Sequence, residues 1–301
     1  MTKPNAVELK DVSLKLGQNV ILDNLSFCVP QGEIFGLVGH NGAGKTSLLK
    51  IMLGMIVSYT GSLMFFNDTD LEKQRAKIGS VMDMLKTEKR ISASKYVARL
   101  AYMTGQNDKS YINNLLHKVG ADNTGNKPIG NFSLGMKRRL DIACSMINSP
   151  DLLILDEPFN GIDPKGVNEI RILLQQLAFE GTTIFVTSHN ISELMKFATV
   201  FGVINRGKIT DVISSSELHA YEQYKYVVKI KNQTAFTENA EQLSRDITYN
   251  FISPDEINIF GSDEKEISDH LSKIQQFIEG TPQKVLMNEE EVLLWKMGIQ
   301  K

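Results

Sequence analysis

Apolar and polar residues alternate along Val7-Glu8-Leu9-Lys10-Asp11-Val12-Ser13-Leu14, and Val20-Ile21-Leu22 follows after Gly17-Gln18-Asn19. Alternation of period two is the pattern of a strand with one buried face. The glycine-containing break is a turn signal, so a β-hairpin is predicted. The pattern then changes. Glu33-Ile34-Phe35-Gly36-Leu37-Val38 is a short, nearly continuous apolar run, which predicts a strand buried on both faces, and Lys45–Leu53 carries apolar residues at helical spacing. Gly61–Phe66 predicts another strand, Asp70–Lys77 a short charged helix, and Ile78–Met82 a further strand. From about Ser92 to Asn148 the spacing is helical, broken by the polar stretch Asn123–Asn126, and this predicts a helical insertion. Leu152–Leu155 and Thr183–Thr187 are apolar strands separated by a helical Val167–Ala178. Strand, helix, strand in that order implies a right-handed crossover and a parallel core sheet.

Past Gly207 the character shifts again. Tyr226–Ile230 and Ile257–Phe260 read as strands, with helical segments at Thr237–Leu243 and Lys265–Ile278. This tail has no glycine loop, no metal-ligand cluster and no repeat. It is expected to be a small α/β unit, residues 217–301, for packing or partner binding, with 1–216 as the main domain and the helical insertion at about 84–148.

Chemistry enters between the first buried strand and its helix. Gly39-His40-Asn41-Gly42-Ala43-Gly44-Lys45-Thr46 fits G-x-x-x-x-G-K-[ST], a phosphate-binding loop in the strand–loop–helix context that the motif needs. Glycines let successive N–H groups turn inward toward phosphate oxygens, and the helix behind them adds its positive dipole end. Lys45 would reach the β- and γ-phosphates, and Thr46 would hold Mg²⁺, with Ser47 beside it. A second constellation lies downstream, where Leu152–Leu155 delivers Asp156 and Glu157 at the carboxyl end of a buried strand. Asp156 would serve the metal's shell, and Glu157 would polarise a water for attack on the γ-phosphate. Ser133 opens a helix as its N-cap, and with Gly135 it offers donors to an anion.

Asn131-Phe132-Ser133-Leu134-Gly135-Met136-Lys137-Arg138-Arg139-Leu140, lying just ahead of the acidic strand, resembles the signature motif of ATP-binding cassette (ABC) ATPases. Residues 1 to about 216 as a whole resemble that domain. The resemblance implies a P-loop NTPase of α/β class, with a parallel core sheet, an N-terminal antiparallel β subdomain, the helical insertion and the small C-terminal α/β domain. It implies that Asp163 in Asn160-Gly161-Ile162-Asp163 is the acid of the D-loop. It also implies that His189 in Val186-Thr187-Ser188-His189-Asn190 is the switch histidine on the γ-phosphate. ATP and Mg²⁺ are the implied ligands. Two such domains, as a homodimer or heterodimer, would sandwich ATP, Ser133 and Gly135 of one completing the site of the other. A separate transmembrane permease is the implied partner, which would hold the chain peripherally on the inner face of the cell membrane.

Three positions depart from the family pattern. Asp83 follows the strand Ile78–Met82 where a glutamine is usual. A carboxylate there resembles transporters that protect bacteria from lantibiotics and bacitracin-like peptides. Asp83 is assigned to the catalytic and metal sets, with direct contact and a water bridge both open and a merely solvated acid as the alternative. Leu16 stands where an aromatic residue commonly stacks on adenine. The signature reads Ser-Leu-Gly rather than Ser-Gly-Gly, again similar to peptide-exporting and antibiotic-resistance members.

Bulk properties narrow the alternatives. The chain has 301 residues, 42% hydrophobic and 23% charged, the mix of an ordinary globular protein. A formal net charge of −2 provides no electrostatic reason to expect nucleic acid. Cys28 and Cys144 lie among apolar sequence neighbours without a C-x-x-C partner, so neither a disulfide framework nor a zinc site is expected and a reducing cytosol fits. Met1–Asn5 lacks a signal-peptide layout, and no apolar stretch approaches the roughly 18 residues of a membrane span. A ribosome- or DNA-directed ABC ATPase would usually bring paired ATPase domains, a coiled coil or zinc modules. A GTPase would complete N-K-x-D where this chain has Asn126-Lys127-Pro128-Ile129. A regulatory cassette with weak hydrolysis is the remaining alternative, argued against by Glu157 and His189.

Overall fold

In a computed structural model, the protein is described over residues 3–82, 89–106, 108–243, 248–261 and 263–296. Asp83 lies outside these residues. The chain divides into two compact units, Met1–Ser215 and Ser216–Lys301.

The first unit begins with the hairpin of β1 (Asn5–Leu16) and β2 (Asn19–Pro30), whose sheet is completed by β4 (Thr60–Phe65) in the order β2-β1-β4. Val7, Leu9, Val12 and Leu14 are all buried although Leu9 and Val12 are three apart. The alternation survives because β1 bulges there: Leu9 pairs with Phe27 and Val12 with Leu25, three residues against two. Asp11 takes up the extra residue at φ 54°.

The second sheet of this unit has six strands. They are β3 (Ile34–Val38), β5 (Ile78–Val81), β6 (Leu152–Leu155), β7 (Thr183–Ser188), β8 (Val200–Asn205) and β9 (Lys208–Ser214), ordered β5-β6-β7-β3-β8-β9. All neighbours are parallel except the closing β8–β9 hairpin. Every residue of β3, β6 and β7 is buried, as their unbroken runs require of strands covered on both faces. The two sheets join through a ring stack. Phe35 of β3 lies 5.4 Å from Phe27 of β2 and 5.2 Å from Phe185 of β7.

Helix α1 (Lys45–Met52) follows β3, and α2 (Leu71–Gln74) precedes β5, with the predicted charged helix finishing as a 3₁₀ turn at Arg75–Lys77. The insertion contains α3 (Ala93–Met103), α4 (Lys109–Lys118) and α5 (Leu134–Ser145); α6 (Pro164–Phe179) connects β6 to β7, and α7 (Ile191–Met195) leads to β8. Cys28, expected among apolar neighbours, is exposed, because alternation on β2 turns it away from Phe27 and Val29. Cys144 is partly buried on α5.

Helix α8 (Ser215–His219) leads from the last residue of the first unit into the second, which then runs β10 (Tyr224–Ile230), α9 (Gln233–Leu243), β11 (Thr248–Ser253), β12 (Glu256–Phe260), α10 (Glu264–Ile274) and β13 (Ile278–Leu286). Its sheet is antiparallel in the order β11-β12-β10-β13, the split β-α-β arrangement of ferredoxin-like folds. Helix α11 (Glu289–Lys296) ends the described chain. Val228, Ile230, Phe236, Ile257, Ile259, Ile267 and Ile274 form the core. The helix predicted over Lys265–Ile278 is shorter: it passes through a 3₁₀ turn at Gln275–Phe277, and Ile278 begins β13.

Candidate functional site

Strand order decides which loops meet. β7 lies between β6 and β3, so the carboxyl ends of all three open side by side. Val38 pairs with Ser188 and Leu155 with Val186, which levels the phosphate loop, the Asp156–Glu157 pair and His189 at one edge of the sheet.

Gly44 is the N-cap of α1 at φ 109°, a conformation that L side chains rarely adopt. A Cβ there would also stand 2.6 Å from Leu22 Cδ2 and 3.1 Å from the Ile21 carbonyl oxygen. The first turn of α1 contains no acidic residue, which leaves its N-terminal end favourable to an anion. His40, Asn41 and Gly42 are exposed, Ala43 is buried, and Ser47 is half-buried on the first turn. Gly207 ties the loop to the β8–β9 turn by donating its N–H to the Ala43 carbonyl at 3.0 Å.

Lys45 is buried, and its Nζ donates to the carbonyls of Gly39 at 2.6 Å and His40 at 3.1 Å. The same Nζ lies 3.3 Å from Glu157 Oε1. The other oxygen, Glu157 Oε2, is 2.9 Å from His189 Nδ1 and accepts the His189 backbone N–H at 3.3 Å. One carboxylate thus spans the loop lysine and the histidine. Glu157 itself sits at φ 44°, a left-handed backbone that costs a non-glycine residue on the order of 1–3 kcal/mol.

Thr46 Oγ1 donates to Asp156 Oδ2 at 2.9 Å, while Thr187 Oγ1 donates to Asp156 Oδ1 at 2.6 Å. The Thr46 hydroxyl and the Asp156 carboxylate are hard oxygen donors of the type Mg²⁺ takes, alongside substrate phosphates. Among the described residues, no group of three or more His, Cys, Asp or Glu side chains gathers as a metal cage.

The remaining candidates lie on two helix starts. Ser133 caps α5, its Oγ accepting the Met136 N–H at 3.2 Å. Asp163 caps α6, accepting the Gly166 N–H at 3.4 Å. These helices touch at their N-terminal ends. A Cβ on Gly135 would lie 3.3 Å from Ile162 Cγ2 and 3.5 Å from Gly166 Cα. Arg139 of α5 pairs with Glu169 of α6 at 3.2 Å. A cavity of about 530 Å³ is lined by Glu157, His189, Asn160, Gly161, Arg171 and Lys196. Leu16 is 53% exposed at the hairpin end, with the equally exposed Val20 on the facing strand.

A family model described as ABC transporter matches residues 22–160, the span of the phosphate loop, Ser133 and the acid pair. The lantibiotic transport ATP-binding protein SrtF of Streptococcus pyogenes is 39% identical over 203 residues, covering 67% of this chain and 88% of that protein. The chain belongs to the ABC transporter ATP-binding family. The bacitracin transport ATP-binding protein BcrA of Enterococcus faecalis is 36% identical over 217 residues, 71% of this chain and 70% of that protein. Among solved structures, cbiO1 from Clostridium perfringens, part of the ABC transporter complex cbiONQ, has the same fold. It superposes with a TM-score of 0.65 at 24% identity, over 81% of this chain and 97% of that one. As an ABC ATPase, the chain binds and hydrolyses ATP. Among its described residues, no helix is long and apolar enough to cross a membrane.

One residue of this ABC ATPase escaped the sequence reading. In the sequence Thr187 figures only as a strand residue two places before His189, with no role of its own. Its hydroxyl, fully buried, bonds to Asp156 and accepts the Glu157 N–H at 3.1 Å. The available signal was a polar side chain near the end of an otherwise apolar buried run.

Proposed function

We propose that the chain is the Mg²⁺-dependent ATPase subunit that powers a separate transmembrane permease, in export of, or protection against, a peptide antibiotic. The observation that carries the reading is the Glu157 carboxylate held between Lys45 Nζ and His189. A carboxylate so placed at the mouth of a phosphate loop is suited to take a proton from an attacking water. Such general-base help is worth roughly 10²–10⁴ in rate. Lys45 and the loop N–H groups stabilise charge on the transferring phosphoryl group, and His189 binds its oxygens. Thr46 and Asp156 would hold Mg²⁺, which would neutralise charge on the phosphate oxygens. Asp83, which lies outside the described residues, is the proposed start of coupling to the helical insertion.

Ser133 and Gly135 lie at the start of α5, where the Ser133 hydroxyl accepts the Met136 N–H of its own helix cap. This supports a second ATPase domain bringing its own Ser133 and Gly135 to the nucleotide, with Asp163 beside that contact. The antibiotic class rests on the names of SrtF and BcrA, and association with the inner membrane face rests on the transporter family. The exposed Leu16 and Val20 offer adenine an apolar rest in place of an aromatic ring. The second unit, with a core of its own and no share in these residues, is an accessory domain.

The test is ATP turnover by wild type and Glu157→Gln, with sizing in the presence and absence of ATP. Turnover in wild type, its loss in the variant, and an ATP-dependent dimer of the variant are expected. Equal turnover in both proteins would overturn the base assignment. Loss of turnover in the variant with a monomer throughout would overturn the sandwich.

A further inference from the structure

We propose that Thr187 is a positioning residue for ATP hydrolysis, its single hydroxyl aligning Asp156 for the metal and Glu157 for water. The inference rests on the roles proposed above for those two acids. Register creates the arrangement. Leu155 of β6 pairs with Val186 of β7, so the next residues, Asp156 and Thr187, emerge side by side. Thr187 is fully buried, in a strand whose other apolar members serve packing.

A hydroxyl has one proton to donate and lone pairs to accept with. Here the proton goes to Asp156 Oδ1 at 2.6 Å, and a lone pair takes the Glu157 N–H at 3.1 Å. The first bond pins the inner oxygen of the carboxylate, so that Oδ2 is the one presented to Thr46. The second anchors the backbone of Glu157, which is left-handed at φ 44° and leans on outside support to stay there. On the far side, the Glu157 carbonyl accepts the Asn160 N–H at 3.2 Å. Partners that orient metal-holding groups in this way are typically worth about 10–100-fold in metal affinity or activity.

Two variants separate this role from packing. Thr187→Val keeps the shape and loses the hydroxyl, whereas Thr187→Ser keeps the hydroxyl and loses the methyl. Thr187→Val is expected to lower kcat about 10-fold or more while the KM for ATP stays within about 2-fold, and Thr187→Ser to retain most of kcat. A readout free of turnover is Mn²⁺ binding in the presence of a non-hydrolysable ATP analogue. Thr187→Val should weaken it about 10-fold, and Thr187→Ser should not. Wild-type kcat and Mn²⁺ affinity in Thr187→Val would overturn the proposal. So would loss of both in Thr187→Ser, and that variant decides alone if Thr187→Val does not fold. Glu157→Gln in the same assay keeps the two readings apart. A dead Glu157→Gln beside a fully active Thr187→Val sinks only the positioning role. Wild-type turnover in Glu157→Gln sinks the base assignment, and the Mn²⁺ measurement then decides the Asp156 arm.

Discussion

Thr46 Oγ1 donates to Asp156 Oδ2 at 2.9 Å, joining the first turn of α1 to the end of β6 across 110 residues of sequence. Neither partner could fix the other locally. The bond exists because β6 and β3 flank β7 in one parallel sheet and release their chains at the same edge.

Removing that hydroxyl tests the metal reading. Thr46→Val should lower turnover about 10²-fold and raise the Mg²⁺ concentration needed for half-maximal rate, with Thr46→Ser close to wild type. Turnover measured against Mg²⁺ concentration checks both. An unchanged Mg²⁺ requirement in Thr46→Val would remove Thr46 from the metal's shell.

The loop geometry makes Gly44 intolerant of a side chain. Gly44→Ala must leave φ 109° or push Leu22 away from a Cβ placed 2.6 Å from its Cδ2. It should destabilise the first unit by about 1–3 kcal/mol and weaken ATP binding more than about 10-fold. Thermal unfolding and an equilibrium ATP titration measure the two effects. Wild-type values in both would show that the loop relaxes freely.

The two thiols should differ in reactivity. Burial, with the nearby charge of Asp141 adding to it, pushes the Cys144 thiol up to about 12. Thiolate is the reactive form, so at pH 8 only about one Cys144 in 10⁴ is reactive, rising about 100-fold by pH 10. Cys28 is exposed; partial desolvation and then Glu8 raise its pKa as well. Alkylation near pH 8 should label Cys28 first, with Cys144 following as pH rises. Peptide mass spectrometry reads the order, and equal labelling at pH 8 would contradict it.

Phe236 is the central ring of the second unit, 5.2 Å from Tyr249, 6.0 Å from Phe251 and 5.7 Å from Phe277. Phe236→Ala should cost about 3–5 kcal/mol there, as buried aromatic truncations do. Calorimetry should show an early transition from that unit, with ATP binding by the first unit retained. Loss of ATP binding at the same temperature would mean that the units unfold as one.

Much of this was legible in the residues themselves. The apolar runs Ile34–Val38, Leu152–Leu155 and Thr183–Thr187 have the pattern of strands buried on both faces, and each is one. The glycine loop announced its chemistry because its backbone needs conformations few other residues supply. The second unit was less readable. β13 carries Gly280 and Pro282 and is exposed along most of its length, so no alternation marked it, and β11 is only partly buried.

The sequence by itself determined the residue types that the chemistry demands and the order in which the strands deliver them. The order of strands within the sheet, β5-β6-β7-β3-β8-β9, was decided only in three dimensions. So were the contacts that follow from it, Lys45 on Glu157, Glu157 on His189, and Thr187 on both acids. Local pattern reports which face of an element is buried, because that depends on near neighbours in the chain. Which hydroxyl meets which carboxylate depends on register between strands some thirty to a hundred residues apart, and only packing sets it.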